Sequence, residues 1–475
     1  MTDTMTAKAE KPQAATPSTS DNGHNGEKPT TKTSIKIAPN EVHATLAKHM
    51  LVDGFDLVVD LKRSQGSYVF DSRYNKRYLD FFTFFASGSV GMNHPKLNSP
   101  EFLEKLGSVA VHKPSNADAY TVEMAEFVET FSRIAQPEYL PYVFFIDGGA
   151  LAVENALKTA FDWKVRKNFI KGYTEERGRQ IIHFRRAFHG RSGYTLSLTN
   201  TDPVKTNYFP KFRWPRIHNP IIEFPLNKEN LSRVKKAESI ALQQIKQAII
   251  NNPDDIAGMI IEPIQCEGGD NHFRKEFFEE LRKICDESDI LLIFDEVQTG
   301  VGITGKMWAH EYFVKPDLMS FGKKTQTCGI MCSKRIDDVL ENVFHKPSRI
   351  NSTFGGNLID MVRFQRILEI IHEEKLVENA RETGVYLLEK LGELEQEFPG
   401  LVSGARGRGL LCAIDLDTAQ NRDQLRSKAY DDGLILIGCG DRSIRFRPPL
   451  NIIKSELDEG LRIIHEALIE ISQGD

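Results

Sequence analysis

Asp295 and Lys323 are the residues whose types and spacing point to chemistry. Asp295 closes the apolar run Ile290–Phe294, which fits either a parallel strand covered on both faces or a turn of buried helix. Taken as a strand, the run places the carboxylate outside the carboxyl end of a sheet, where such sheets bind ligands. A carboxylate there either caps the next segment or keeps a heteroaromatic nitrogen protonated, so that the ring withdraws electrons from a carbon losing its proton. Lys323 follows in Ser320-Phe321-Gly322-Lys323-Lys324, after one predicted helix and one predicted strand. An amine that bonds a carbonyl must spend time neutral, and an apolar site beside a second cation such as Lys324 lowers its pKa. Read alone, the lysine pair is a solvated turn. In the same passage as Asp295, it completes a site for a pyridine cofactor that carries a carbonyl.

The run Phe294-Asp295-Glu296-Val297-Gln298-Thr299-Gly300 is followed by Thr304-Gly305, Trp308, Pro316-Asp317 and a lysine seven residues after that proline. This order resembles the central motif of the class III aminotransferases of the fold-type I pyridoxal phosphate enzymes, and the resemblance runs roughly from Val69 to Ile464. It implies pyridoxal 5'-phosphate as cofactor, Lys323 rather than Lys324 as the amine that bonds it, and Asp295 as the ring-nitrogen partner. The implied fold is α/β, a central mostly parallel sheet with helices on both faces plus a smaller α+β domain.

Asp147-Gly148-Gly149-Ala150 opens a predicted helix with Val153, Ala156, Leu157, Ala160 and Phe161 at helical spacing. Glycines allow close backbone approach, and a helix N-terminus favours an anion. The segment is either an ordinary glycine turn or, by the resemblance, the cofactor phosphate cup formed by Gly148, Gly149 and Ala150. The family usually has serine where Gly148 stands, which would leave the phosphate to backbone groups. Phe188-His189-Gly190-Arg191 resembles the family's aromatic-x-Gly-Arg element, so Phe188 and Val297 are implied to flank the pyridine ring. Gln298 is implied to meet its hydroxyl oxygen. Asn351-Ser352-Thr353-Phe354-Gly355-Gly356 resembles the segment that crosses to a neighbouring subunit, with Thr353 on the phosphate and Asn351 on the substrate side. The implied assembly is a homodimer with shared active sites.

Longer strings, among them FIDGGALAVENALKTAFDWK and RINSTFGGNLIDMVR, resemble the branch of the family that moves the ε-amino group of L-lysine to 2-oxoglutarate. Ornithine and 4-aminobutyrate branches are the nearest competitors. The implied products are 2-aminoadipate 6-semialdehyde and L-glutamate, formed by ping-pong kinetics. If the ε-amine reacts, the α-carboxylate of lysine lies at the far end of the pocket, where Arg191 suits it. Glutamate must bring its α-carboxylate close to the cofactor, which needs a second arginine that can be masked. Arg445 matches the family's proximal arginine and Glu267 the acid that pairs with it. A purely structural ion pair is the alternative, and Arg447 is read as structural.

The elements that must position these residues are legible in outline. Strands are expected around Tyr142–Ile146, Arg179–Phe184, Gly258–Glu262 and Leu291–Phe294, alternating with helices. A short helix is expected over Val42–Val52, a strand meander over Leu57–Tyr78, and two helices within Leu358–Phe398. Gly409–Asp415, Gly433–Ile437 and Ser443–Phe446 suggest a small antiparallel sheet closed by a helix from Glu456. The expected domains are a disordered tail over 1–35, an N-terminal segment over 36–80 packing with the small domain, a large cofactor-binding domain over 81–350 and a C-terminal small domain over 351–475. Gly407-Arg408-Gly409 lacks the third glycine and the preceding strand of a dinucleotide fingerprint.

Composition sets limits. The 475 residues carry 61 basic and 66 acidic side chains, a formal charge of 61 − 66 = −5, with no dense basic stripe, which argues against a nucleic-acid partner. No apolar run is long enough to cross a bilayer. The six cysteines show no paired spacing, so reduced thiols and a cytoplasmic location are expected. Cys328 and Cys332 lack an accompanying histidine cluster, so no metal site is expected. Two rival readings stay open: a mutase or decarboxylating lyase on the same fold, and a ligand-sensing regulator, for which the tail offers no DNA-binding motif.

Overall fold

A computed structural model describes residues 35–474 of the chain; all but one residue of the expected tail lies outside them. The described residues up to Gly54 form one compact unit, and those from Phe55 onward form another. In the first, a helix covers Val42–Ala47 and buries none of its residues. It is shorter than the expected Val42–Val52, since a short helix with no buried face gains little from packing.

The second unit is built on a seven-stranded sheet. Its spatial order is Tyr142–Ile146, Cys328–Cys332, Leu318–Phe321, Leu291–Asp295, Ile256–Ile261, Gln180–Phe184 and Arg216–Ile217. Cys328–Cys332 runs antiparallel to both its neighbours, and the other pairings are parallel. The two central strands Ile256–Ile261 and Leu291–Asp295 are buried at every position, which is why they read as continuous apolar runs without alternation. Successive side chains still serve opposite faces. Ile293 packs with Val153, Ala156, Leu157 and Ala160 of the helix Gly149–Ile170. Leu292 and Phe294 pack with Phe277, Phe278 and Leu281 of the helix Lys275–Glu287. Each such side chain taken from water contributes about 1.5–3 kcal/mol, so the strand carrying Asp295 is anchored from both sides.

The helix expected between Asp295 and Lys323 is not formed. In its place the chain makes a glycine-rich loop and the short 3-10 turn Ala309–Tyr312. Val301, Gly302 and Gly305 take positive φ values of 57°, 83° and 80°, incompatible with a continuous helix. Glu296 ties the loop down: its buried carboxylate accepts from the backbone N–H groups of Ala309 and His310 and from the Thr299 hydroxyl.

Two smaller sheets complete the unit. One is antiparallel, in the order Val402–Arg408, Leu411–Leu416, Ser443–Phe446, Ile437–Cys439. The other joins Tyr68–Asp71 and Lys76–Asp80 to Leu434–Ile435, with Leu434 opposite Leu79. The expected strand Gly433–Ile437 is thus divided between two sheets. Leu434, Ile435, Leu436 and Ile437 are all buried, and an unbroken apolar run gives no alternation from which to read the division. The helices Leu358–Glu373 and Leu376–Glu397 meet at Lys375, whose φ of 52° breaks the run. The last helix is Lys454–Gln473. Among the described residues, no helix is long and apolar enough to cross a membrane.

Candidate active site

A cavity of about 290 Å³ lies at the carboxyl ends of the central strands. It is lined by Gly149, Ala150, Phe188, His189, Gly190, Arg191, Glu262, Asp295, Val297, Gln298 and Lys323. A larger cleft of about 660 Å³, lined by Arg185, Arg216 and Arg233 among others, contains neither Asp295 nor Lys323. Size alone does not locate the chemistry.

Asp295 is fixed by three donors. Its Oδ2 is 2.7 Å from His189 Nδ1, and its Oδ1 accepts from Val297 N–H at 3.1 Å and from the Ser320 hydroxyl at 3.2 Å. The next strand delivers Lys323 through Gly322, where a Cβ would come within 3.0 Å of Cys328 Sγ and 3.2 Å of Val297 Cγ1. Lys323 itself has φ 54°, a conformation that non-glycine residues rarely hold without a surrounding that enforces it. Burial, with the Arg445 guanidinium nearby, lowers the Lys323 amine to about 8, against the opposing pull of Glu267 and Asp295. Lys324 is also buried and its amine is pushed far down, but its Nζ faces the Gln298 carbonyl oxygen at 3.4 Å and it does not line the cavity.

The helix Gly149–Ile170 begins at the cavity, with Gly148 as its N-cap at φ 95°. That φ lies in the region that favours glycine. A Cβ on Gly149 would stand 2.9 Å from Val297 Cγ1, so this helix start is as close to the strand loop as backbone allows. Gln298 Oε1 accepts from Arg445 Nη1 at 3.1 Å, which leaves its amide nitrogen free for a ligand oxygen. Arg445 Nη2 donates to Glu267 Oε2 at 2.9 Å. Burial opposes ionisation of Glu267, but Arg445 and then Lys205 outweigh it and hold the carboxyl below its ordinary value. Arg191 has no carboxylate partner among the described residues.

Asn351 and Thr353 do not line the cavity. Their segment is held elsewhere on the surface, where the Thr353 carbonyl accepts from the Ser115 hydroxyl and Asn116 bonds the Phe354 and Gly356 backbone. Arg447 forms a fully buried pair with Asp270.

Three neighbouring residues were not singled out from the sequence. His189 lies within the Phe188–Arg191 run and was findable there. Glu262 accepts from Phe188 N–H at 2.9 Å and Cys266 N–H at 3.3 Å, while burial and the nearby Asp295 raise its carboxyl well above the usual range. Lys205, on Glu267, carries no local signal at all.

Residues 52–468 match the family model for class III aminotransferases, and the chain belongs to that family. Among curated relatives, the L-lysine-epsilon aminotransferase of Mycobacterium tuberculosis is 52% identical over 90% of this chain and 96% of its own length. That of Streptomyces clavuligerus is 47% identical, over 91% and 95%. The solved lysine aminotransferase of M. tuberculosis superposes with a TM-score of 0.90 at 51% identity, over 92% of this chain and 100% of that one. The enzyme is thus a pyridoxal phosphate-dependent aminotransferase, and the cavity fits that cofactor: an acid fixed by three donors, an amine lowered to about 8, and a helix N-terminus open to an anion.

Proposed function

We propose that the chain transfers the ε-amino group of L-lysine to 2-oxoglutarate, giving 2-aminoadipate 6-semialdehyde and L-glutamate. The observation that carries this reading is a masked arginine, Arg445 on Glu267, which does not line the cavity itself but bonds the lining residue Gln298, together with a carboxylate-free arginine, Arg191, that lines the cavity with Lys323. Such a layout serves two substrates of different charge. With the pair closed, Arg191 takes the α-carboxylate of lysine while the ε-amine reaches the reacting centre. With Glu267 withdrawn, Arg445 takes the α-carboxylate of glutamate or 2-oxoglutarate, and Arg191 takes the distal one.

Pyridoxal phosphate, when bound, supplies a carbonyl carbon for the amine and a ring that absorbs charge from the carbon losing its proton. Asp295 keeps the ring nitrogen protonated, and His189 fixes that carboxylate in place. Phe188 and Val297 would flank the ring, and Gln298 would meet its hydroxyl oxygen. Backbone N–H groups of Gly148, Gly149 and Ala150 hold the phosphate. Lys323, once freed from the cofactor, would take the proton from the substrate carbon that bears the amine and later give a proton up, acting as base and then acid. Thr353 would reach the phosphate of the neighbouring copy, with Asn351 beside it on the substrate side, and a homodimer would then be the working unit. Six free, buried thiols suit a reducing cytoplasm.

The test is to mix cofactor-loaded protein with L-lysine alone, follow the cofactor absorbance as it becomes aminated, and identify the carbon product by mass spectrometry. The cyclised 6-semialdehyde is expected. Amination by ornithine or 4-aminobutyrate but not by lysine would keep the mechanism and reject the substrate.

A further inference from the structure

Glu267 is held from two sides. Its Oε2 accepts from Arg445, and its Oε1 accepts from Lys205 Nζ at 2.5 Å. Lys205 ends the short 3-10 turn Pro203–Lys205, whose start is fixed by the Asp202 carboxylate accepting from Val204 N–H. Its ammonium stands 5.7 Å from the centre of the Phe188 ring. The Arg445 side chain is 1% exposed and that of Lys205 is 26% exposed, so one carboxylate bridges a buried cation and a cation at the rim.

We infer that Lys205 retains the Glu267 carboxylate when Arg445 is given over to the α-carboxylate of glutamate or 2-oxoglutarate. The inference rests on the use of Arg445 proposed above. A carboxylate that leaves its partner in a partly buried place pays for lost pairing unless a second cation keeps it. With Oε1 already on Lys205, rotation of the Glu267 side chain frees Arg445 without stranding the charge. The balance of charge points the same way. Lys205 and Arg445 share one carboxylate in the closed arrangement, and a dicarboxylate substrate brings the second. Lysine presents an amine at that end and leaves the pair closed. Lys205 is therefore a positioning residue for the dicarboxylate half of the reaction.

The test measures the two half-reactions separately in the holoenzyme by single-turnover kinetics, for wild type, Lys205→Met and Lys205→Arg. In Lys205→Met, kcat/KM for glutamate and for 2-oxoglutarate is expected to fall about tenfold, chiefly through KM, while that for lysine shifts less than about threefold. Lys205→Arg restores the ratio. Lys205→Gln, which keeps a donor to Glu267, falls between and replaces Lys205→Met if that variant fails to retain cofactor. Equal losses in both half-reactions, or no loss in either, would overturn the inference. So would a loss confined to lysine, which would make Lys205 a contact to lysine's own carboxylate. If wild type accepts a different amine donor, the proposed substrate falls, while selective loss toward 2-oxoglutarate still decides the role of Lys205.

Discussion

Lys323 and Lys324 are adjacent and both buried enough to lose much of their basicity, yet only Lys323 opens into the cavity. Lys323→Ala is expected to keep the fold, by circular dichroism, and to lose at least about 10²–10⁴-fold in turnover, the usual span for a positioned acid–base group. Lys324→Ala should stay active, and the reverse pattern would sink the choice. The lowered amine has a second consequence. In cofactor-free protein, Lys323 is protonated below about 8 and neutral above it, and only the neutral amine attacks an aldehyde. Cofactor capture is therefore expected to speed up as pH rises through about 8 and then level off. Arg445→Gln should move that midpoint upward, because it removes a cation that disfavours the ammonium. Stopped-flow absorbance against pH reads both. At this scale the motif residues were legible because the cofactor's chemistry demands particular side chains in a particular order. Lys205 and Glu262 were not, because their roles come from which segments fold against Glu267 and Phe188.

The strand Leu291–Asp295 and the helix Gly149–Ile170 are the elements that set the site, and they meet where Gly149 lies against Val297. Gly149→Ala is expected to push Val297 toward the cavity and to weaken cofactor binding by about 1–3 kcal/mol, the usual cost of overpacking. Equilibrium titration of cofactor-free protein checks this, and unchanged affinity would show that Val297 can yield. The central strands and this helix were readable because burial on both faces and helical periodicity leave strong patterns. The helix expected after Asp295 failed for a local reason: Gly302 and Gly305 hold φ values a helix does not allow, and the loop is stabilised by distant N–H groups on Glu296. The strand Gly433–Ile437 failed for the opposite reason. Every side chain in it is apolar, so nothing local says which of two sheets takes which residue.

At the scale of the whole molecule, one chain brings Asp295, Lys323, Phe188 and Arg191 to a single cavity, while Asn351 and Thr353 remain outside it. A shared site makes a sharp prediction. Mixed dimers of Lys323→Ala and Thr353→Ala chains should contain one site with both residues intact and regain about half the wild-type activity, although each parent homodimer is impaired. Absence of recovery after confirmed subunit exchange would place Thr353 outside any partner's site. The amino-acid order by itself determined the family and the cofactor chemistry, because those depend on residue types at short, ordered spacings. Only the tertiary structure decided that Asp295 is braced by His189, that Lys324 turns away to a backbone carbonyl, and that Glu267 stands between Arg445 and Lys205. Those relations join residues far apart along the chain, and packing alone brings them within hydrogen-bonding distance.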